Sequence, residues 1–158
     1  MKLLFAAVVV TLAAANGLAA GAPATLSQCG TGNAVDFTTL KATPNPPVFG
    51  QAAALNATGT VNAAIQKGTY TLTVSLDGLN LFTHAGPACG FSSFTLPLGT
   101  GTVDMYGLSC PTTAGGPVAA SLALTLPLGT PPGTYDVQVS ATGPTGALFC
   151  VEMKWVAS

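Results

Sequence analysis

His84 is the only histidine in this 158-residue chain, and it sits in the stretch FTHAGP. Acid–base or nucleophilic chemistry built on it would need a carboxylate to orient the ring and a hydroxyl within reach. Asp77 or Asp104 is the candidate to orient it, and Ser92 or Ser93 the candidate nucleophile. No G-x-S-x-G turn presents either serine, and no carboxylates pair at a spacing suited to glycoside cleavage. A loop histidine without a catalytic role is the simpler reading, so no catalytic residue is assigned and the protein is not read as an enzyme. Cys29, Cys89, Cys110 and Cys150 are the other candidates for chemistry. Their spacing fits no zinc motif, and a single histidine does little to complete a metal site. No metal and no cofactor is implied. An even count of four cysteines fits two disulfides, with three possible connectivities.

Charge narrows the functions further. Asp, Glu, Lys and Arg make up 6% of the chain, and none of them is Arg; a soluble domain commonly has about 25%. Nucleic acid is excluded as a partner, because no basic patch could neutralise phosphates. Disorder is excluded too, since 49% apolar residues at low net charge favour collapse.

The N-terminus reads as a leader. MKLLFAAVVVTLAAANGLAAGAPA has one Lys, an apolar run over Leu3–Ala15 and a tail of small residues. That is the pattern of a secretory signal peptide, and the run is shorter than the roughly 20 residues a spanning helix needs. The expected division is a signal peptide over 1–20, cleaved between Ala15 and Ala24, then one domain over 25–158. Export implies an oxidising compartment, which suits disulfides. The protein is expected outside the cell or in a vacuole- or lysosome-like lumen. There the sequon Asn56-Ala57-Thr58 becomes an N-glycosylation candidate.

No helix signal follows the leader. Instead, short runs alternate with period two between Gly, Pro, Asn and Asp clusters. Residues 34–42 form a first strand, which the prolines of TPNPPVFG end. In AALNATGTV, Leu55 and Val61 face one way, and Asn56, Thr58 and Thr60 the other. GTYTLTVSLDG sets Tyr70, Leu72, Val74 and Leu76 on one face, and LNLF at 79–82 extends it past a kink. FSSFTLPL, PVAASLALTLP and GTYDVQVS continue the pattern. LFCVEMKWV closes it, with Phe149, Val151, Met153 and Trp155 alternating with polar neighbours. Seven to eight such strands predict an all-β, immunoglobulin-like antiparallel sandwich.

Several pieces in order resemble one family: Cys29 early, PNPPVFG at 44–50, GTY at 68–70, Cys110-Pro111 before Gly115-Gly116, LPLGTPPGTYDVQV at 126–139 and LFCVE at 148–152. They are similar to the ML lipid-recognition domain family, which includes the Niemann–Pick type C sterol carrier and fungal phosphatidylglycerol/phosphatidylinositol transfer proteins. The resemblance spans about Cys29 to Trp155. It implies a sandwich whose sheets part around a lipid, with Cys29–Cys150 and Cys89–Cys110 bridges. The chain departs from many animal members in lacking cysteines for a third bridge. Its Cys89–Cys110 excursion is also long, and holds Phe91, Phe94, Met105 and Tyr106. That excursion could be a lid, a membrane-touching loop or an insertion.

The inward rows supply the candidate lipid-binding residues: Phe37, Leu55, Leu72, Val74, Leu76, Leu122, Leu124, Tyr135, Val137, Val139, Phe149 and Val151, with Leu81 and Phe82 at the mouth. Alternation shows that these side chains face inward, not whether they touch. A filled core is the alternative to a hollow, and the resemblance is what implies the hollow. Burying a CH₂ is worth about 0.8 kcal/mol, so a 16-carbon chain loses roughly 12 kcal/mol on entering water. A slot that shields it needs no covalent chemistry. The expected function is to carry a sterol or phospholipid between membranes, as a monomer in transient contact with membranes or a membrane acceptor protein. With Lys41, Lys67 and Lys154 scattered, the ligand is a near-neutral sterol, or a phospholipid whose head stays in water. A recognition or structural β-sandwich of a cell wall or receptor complex is the alternative.

Overall fold

In a computed structural model, residues 22–97, 101–125, 127–129 and 131–157 are described. The leader and its cleavage site fall largely outside them. Among the described residues there are ten strands: β1 Thr25–Gln28, β2 Val35–Thr43, β3 Ala52–Val61, β4 Thr69–Leu76, β5 Leu79–Pro87, β6 Phe91–Thr95, β7 Thr102–Tyr106, β8 Pro117–Thr125, β9 Gly133–Gly143 and β10 Gly146–Ala157. They form two five-stranded sheets, β1-β10-β9-β4-β5 and β2-β3-β8-β7-β6, with every pairing antiparallel. This is the expected immunoglobulin-like sandwich, with more strands than the seven or eight expected.

The additional strands have local causes. Residues 79–82 do not extend β4 past a kink. Asp77 (φ 50°) and Gly78 (φ 81°) are both left-handed, so Leu76 pairs with Leu79 and the chain folds back as β5. An Asp-Gly pair is suited to that two-residue turn, since both residues tolerate positive φ. Asp77 also fixes the turn to β9, accepting from Thr134 N through Oδ1 at 2.9 Å and donating its own N–H to Thr134 O at 2.8 Å. The Cys89–Cys110 excursion is a hairpin rather than a loose insertion. Its strand β7 pairs with β8, so β6 and β7 complete the second sheet.

Disulfides staple the sandwich. Cys29–Cys150 closes 121 residues of sequence and Cys89–Cys110 closes 21. By the chain-entropy model, loops of those lengths restrict the unfolded chain by about 4–5 and 3 kcal/mol. The sides of the sandwich are sealed by side chains. At β5 and β6, His84 stacks on Phe94 at 3.6 Å, Phe82 lies 5.9 Å from Phe94, and Tyr70 OH meets Ser92 Oγ at 3.2 Å. At β1 and β2, Gln28 donates to Asp36 Oδ1 and to Phe37 O.

Candidate functional site

The register divides the interior into rows, and the rows behave differently. In the first sheet Tyr70, Ala141 and Phe149 form one row, then Leu72, Val139 and Val151, then Val74, Val137 and Met153, then Leu76, Tyr135 and Trp155. In the facing sheet Leu55, Leu122 and Met105 form one row, and Ala53, Leu124 and Val103 the next. Toward the Phe149 end the layers mesh. Phe37 meets Phe149 edge-on at 5.4 Å, and the gap among Phe37, Leu55, Val139, Phe149 and Val151 is only about 30 Å³, room for about one water.

Toward the Trp155 end the layers part around a cavity of about 460 Å³. That lies within the range of roughly 300–1,000 Å³ of small-molecule sites. One wall is Leu72, Val74, Val137, Tyr135, Met153 and Trp155; the other is Ala53, Val103, Leu122 and Leu124. The residue sizes explain why the space stays open. Mostly small or aliphatic side chains face each other there, while Tyr135 and Trp155 stack on one another (5.1 Å apart and 17° from parallel) and Phe82 stacks on His84 and Phe94, instead of crossing the gap. Tyr135 is held in that pose by donating to Pro131 O at 2.8 Å.

Loops form the mouth. Pro47, Leu81, Leu96 and Pro97 border the cavity, as do Pro127–Gly129 and Pro131. The proline segment at 44–51 thus shapes the entrance. Gly50 is left-handed (φ 74°), a backbone that favours glycine, and it lies against the side chain of Leu128 from the other mouth loop. At the opening Leu128 is 84% exposed and Leu81 53%, and close to them or to Pro47 in sequence are exposed Leu79 (72%) and Val48 (41%). Such a cluster marks an interaction surface more often than a chance of composition.

Of the residues singled out in the sequence, Leu72, Val74, Leu81, Phe82, Leu122, Leu124, Tyr135 and Val137 line this cavity. Phe37, Leu55, Val139, Phe149 and Val151 lie together at the meshed end. Leu76 is half-buried and packs beside Gly133 and the core, lining neither space. The sequence list omits Met153 and Trp155, although both belong to the alternating inward row of β10. It also omits Val103 on β7 and the loop residues, which no period marks.

Charge is absent from the described wall. Lys154 lies on the outer face, 2.7 Å from Glu152 and 3.4 Å from Asp136. The Glu152 hydrogen bond, helped by the Asp136 charge, holds its ammonium above the ordinary value. Lys41 is exposed on β2, and Lys67 borders a small polar groove with Thr142 and Gly143. Burial, and then the charge of Asp77, raise the Tyr135 phenol above its ordinary value. Trp155 Nε1 is buried without a hydrogen-bond partner. The residues considered for catalysis are committed elsewhere. Asp77 caps its turn, Asp104 accepts from Ser93 at 2.6 Å, and Ser92 meets Tyr70. His84 is not in the expected loop but in strand β5, opposite Leu72 and among aromatic rings.

Two facing antiparallel sheets with an uncharged, one-ended hollow between them define a sandwich built to enclose an apolar guest. The comparisons agree with that class, and the chain belongs to the ML domain family, whose pattern matches residues 24–156. A phosphatidylglycerol/phosphatidylinositol transfer protein of Mycosarcoma maydis is 28% identical over 131 residues, covering 81% of this chain. The aligned region spans 63% of that relative's length. Two solved structures share the fold. Chicken MD-1, complexed with lipid IVa, superposes at TM-score 0.56 with 14% identity over 85% of this chain and 88% of its own. A Niemann–Pick type C2 protein from the Japanese carpenter ant superposes at 0.57 with 11% identity over 85% and 99%.

Proposed function

We propose that this protein binds one lipid by its apolar part in the cavity between the sheets and transfers it between membranes, without covalent chemistry. The observation that carries this is the 460 Å³ uncharged hollow, at whose rim Leu81 and Leu128 are exposed. Family membership and the named activity of the Mycosarcoma maydis relative support it. The binding residues we assign are Leu72, Val74, Leu81, Phe82, Leu122, Leu124, Tyr135 and Val137, with Met153 and Trp155 added. Phe37, Leu55, Val139, Phe149 and Val151 form the closed floor, and Leu76 buttresses the wall.

An uncharged wall favours a sterol, or a phospholipid whose phosphate stays in water, because a buried unpaired charge is costly. A ligand oxygen reaching Trp155 Nε1 would relieve an unpaired donor. The exposed rim is the surface that meets the bilayer, through apolar contact rather than charge. The leader and disulfides suit a secreted or lumenal protein. Trp155 is the single tryptophan, so energy transfer from it to a fluorescent sterol reads binding without a label. Saturable transfer at one sterol per protein supports the proposal; no transfer to any sterol or phospholipid probe refutes it.

A further inference from the structure

The outer face of the second sheet carries a feature that lipid carriage leaves unused. Lys41 on β2, Asn56 on β3, Ser121 on β8, Tyr106 on β7 and Phe91 on β6 are direct cross-strand partners, one after the next. They make a single row across the whole sheet. Tyr106 is 51% exposed and Phe91 57%, and their rings lie 4.9 Å apart. Together with Asn56, Thr58 and Ser121 they border a groove of about 410 Å³. Asn56 opens the sequon Asn56-Ala57-Thr58 and is itself exposed.

We propose that Asn56 bears an N-linked glycan and that the Phe91–Tyr106 pair is the platform on which its first sugars lie. Adjacent strands are about 4.8 Å apart, so Tyr106 stands about 10 Å from Asn56 along the row. A pyranose unit is comparable in length to one such spacing. The first sugar crosses the small Ser121 and the second reaches the aromatic faces. A pyranose presents a face of C–H groups, which suits the negative face of an aromatic ring. Attachment joins Asn56 Nδ2 to the anomeric carbon of an oligosaccharide carried on a lipid diphosphate. The C–O bond to the diphosphate breaks, the diphosphate leaves with the electron pair, and one amide proton passes to the transferase's base. The bound glycan covers the exposed aromatic pair and flanks the edge strand β6, which would otherwise invite pairing. The cavity mouth then remains the main exposed apolar surface. This inference is independent of the ligand.

The test uses the full chain secreted from a eukaryotic host. Glycopeptide mass spectrometry is expected to find N-acetylhexosamine on Asn56. Trimming that glycan to one sugar is expected to lower the melting temperature of the wild type by about 3 °C. Trimming is expected to leave the Phe91→Ala/Tyr106→Ala variant unchanged. Nuclear Overhauser contacts between the Tyr106 ring and the sugars of the glycosylated wild type give the same answer without a variant. An unmodified Asn56, equal shifts in both proteins, or no Tyr106–sugar contact overturns the proposal.

Discussion

Val137 and Val139 stand two residues apart on the same face of β9, and the account requires opposite outcomes when each becomes tryptophan. Val137 borders the hollow and Val139 the meshed end. In Val137→Trp the indole enters space the protein does not fill, so the fold should hardly notice. The ligand should notice. If the ring displaces about four methylenes of guest, at about 0.8 kcal/mol each, the loss is about 3 kcal/mol, or about 200-fold in Kd. In Val139→Trp the same ring meets Phe37, Phe149 and Leu55 with only about 30 Å³ to spare. Overpacking of that kind costs about 1–3 kcal/mol or more, a drop of about 3–10 °C in Tm. Calorimetry gives the second quantity, and the midpoint of a titration followed by the sterol's own fluorescence gives the first, since each variant carries a second indole donor beside Trp155. Equal melting losses in the two variants, or undiminished binding by Val137→Trp, would refute the division of the interior into open and closed halves.

Other outcomes follow from the same geometry. Leu79 is 72% exposed, two residues before the lining Leu81 on β5, and lines no part of the cavity, so Leu79→Glu should leave binding of a soluble fluorescent lipid unchanged. It should slow uptake from neutral vesicles by about 10-fold, since a buried leucine is worth about 1.5–3 kcal/mol; uptake at the wild-type rate would remove that face from the membrane contact. The Tyr135 phenol is raised by burial and by Asp77, so the folded state holds its proton more tightly than the unfolded chain. That stability is fully present below the unfolded value of about 10 and is lost as pH rises through the folded one. Denaturant unfolding of the wild type above pH 10 should therefore weaken more steeply than that of Tyr135→Phe, and parallel curves would deny the burial of the hydroxyl.

Much of this architecture was legible in the sequence because alternation reports the side of a strand directly. Tyr70, Leu72, Val74, Val137 and Val151 all face inward as their period demands. Three things were not legible. The Asp77-Gly78 turn lies inside an apolar run, so residues 79–82 read as a continuation of β4 rather than its return. The β6–β7 hairpin is short, and its strand β7 is identified by pairing with β8, a partner remote in sequence. Most of all, alternation carries no information on the distance between the layers. It placed Val139 and Val137 in the same category, although one touches the facing sheet and the other borders empty space. The mouth loops were invisible for a related reason, since Pro47, Pro97 and Pro131 belong to no period and reach the cavity only through the fold.

Native mass spectrometry of the intact protein from a secreting eukaryotic culture tests the central claim most directly. The account predicts a population heavier than the disulfide-bonded chain and its glycan by the mass of one neutral lipid or phospholipid. That mass should be shed on gentle activation and restored by incubation with vesicles. A bare protein that stays bare after vesicle incubation would contradict it.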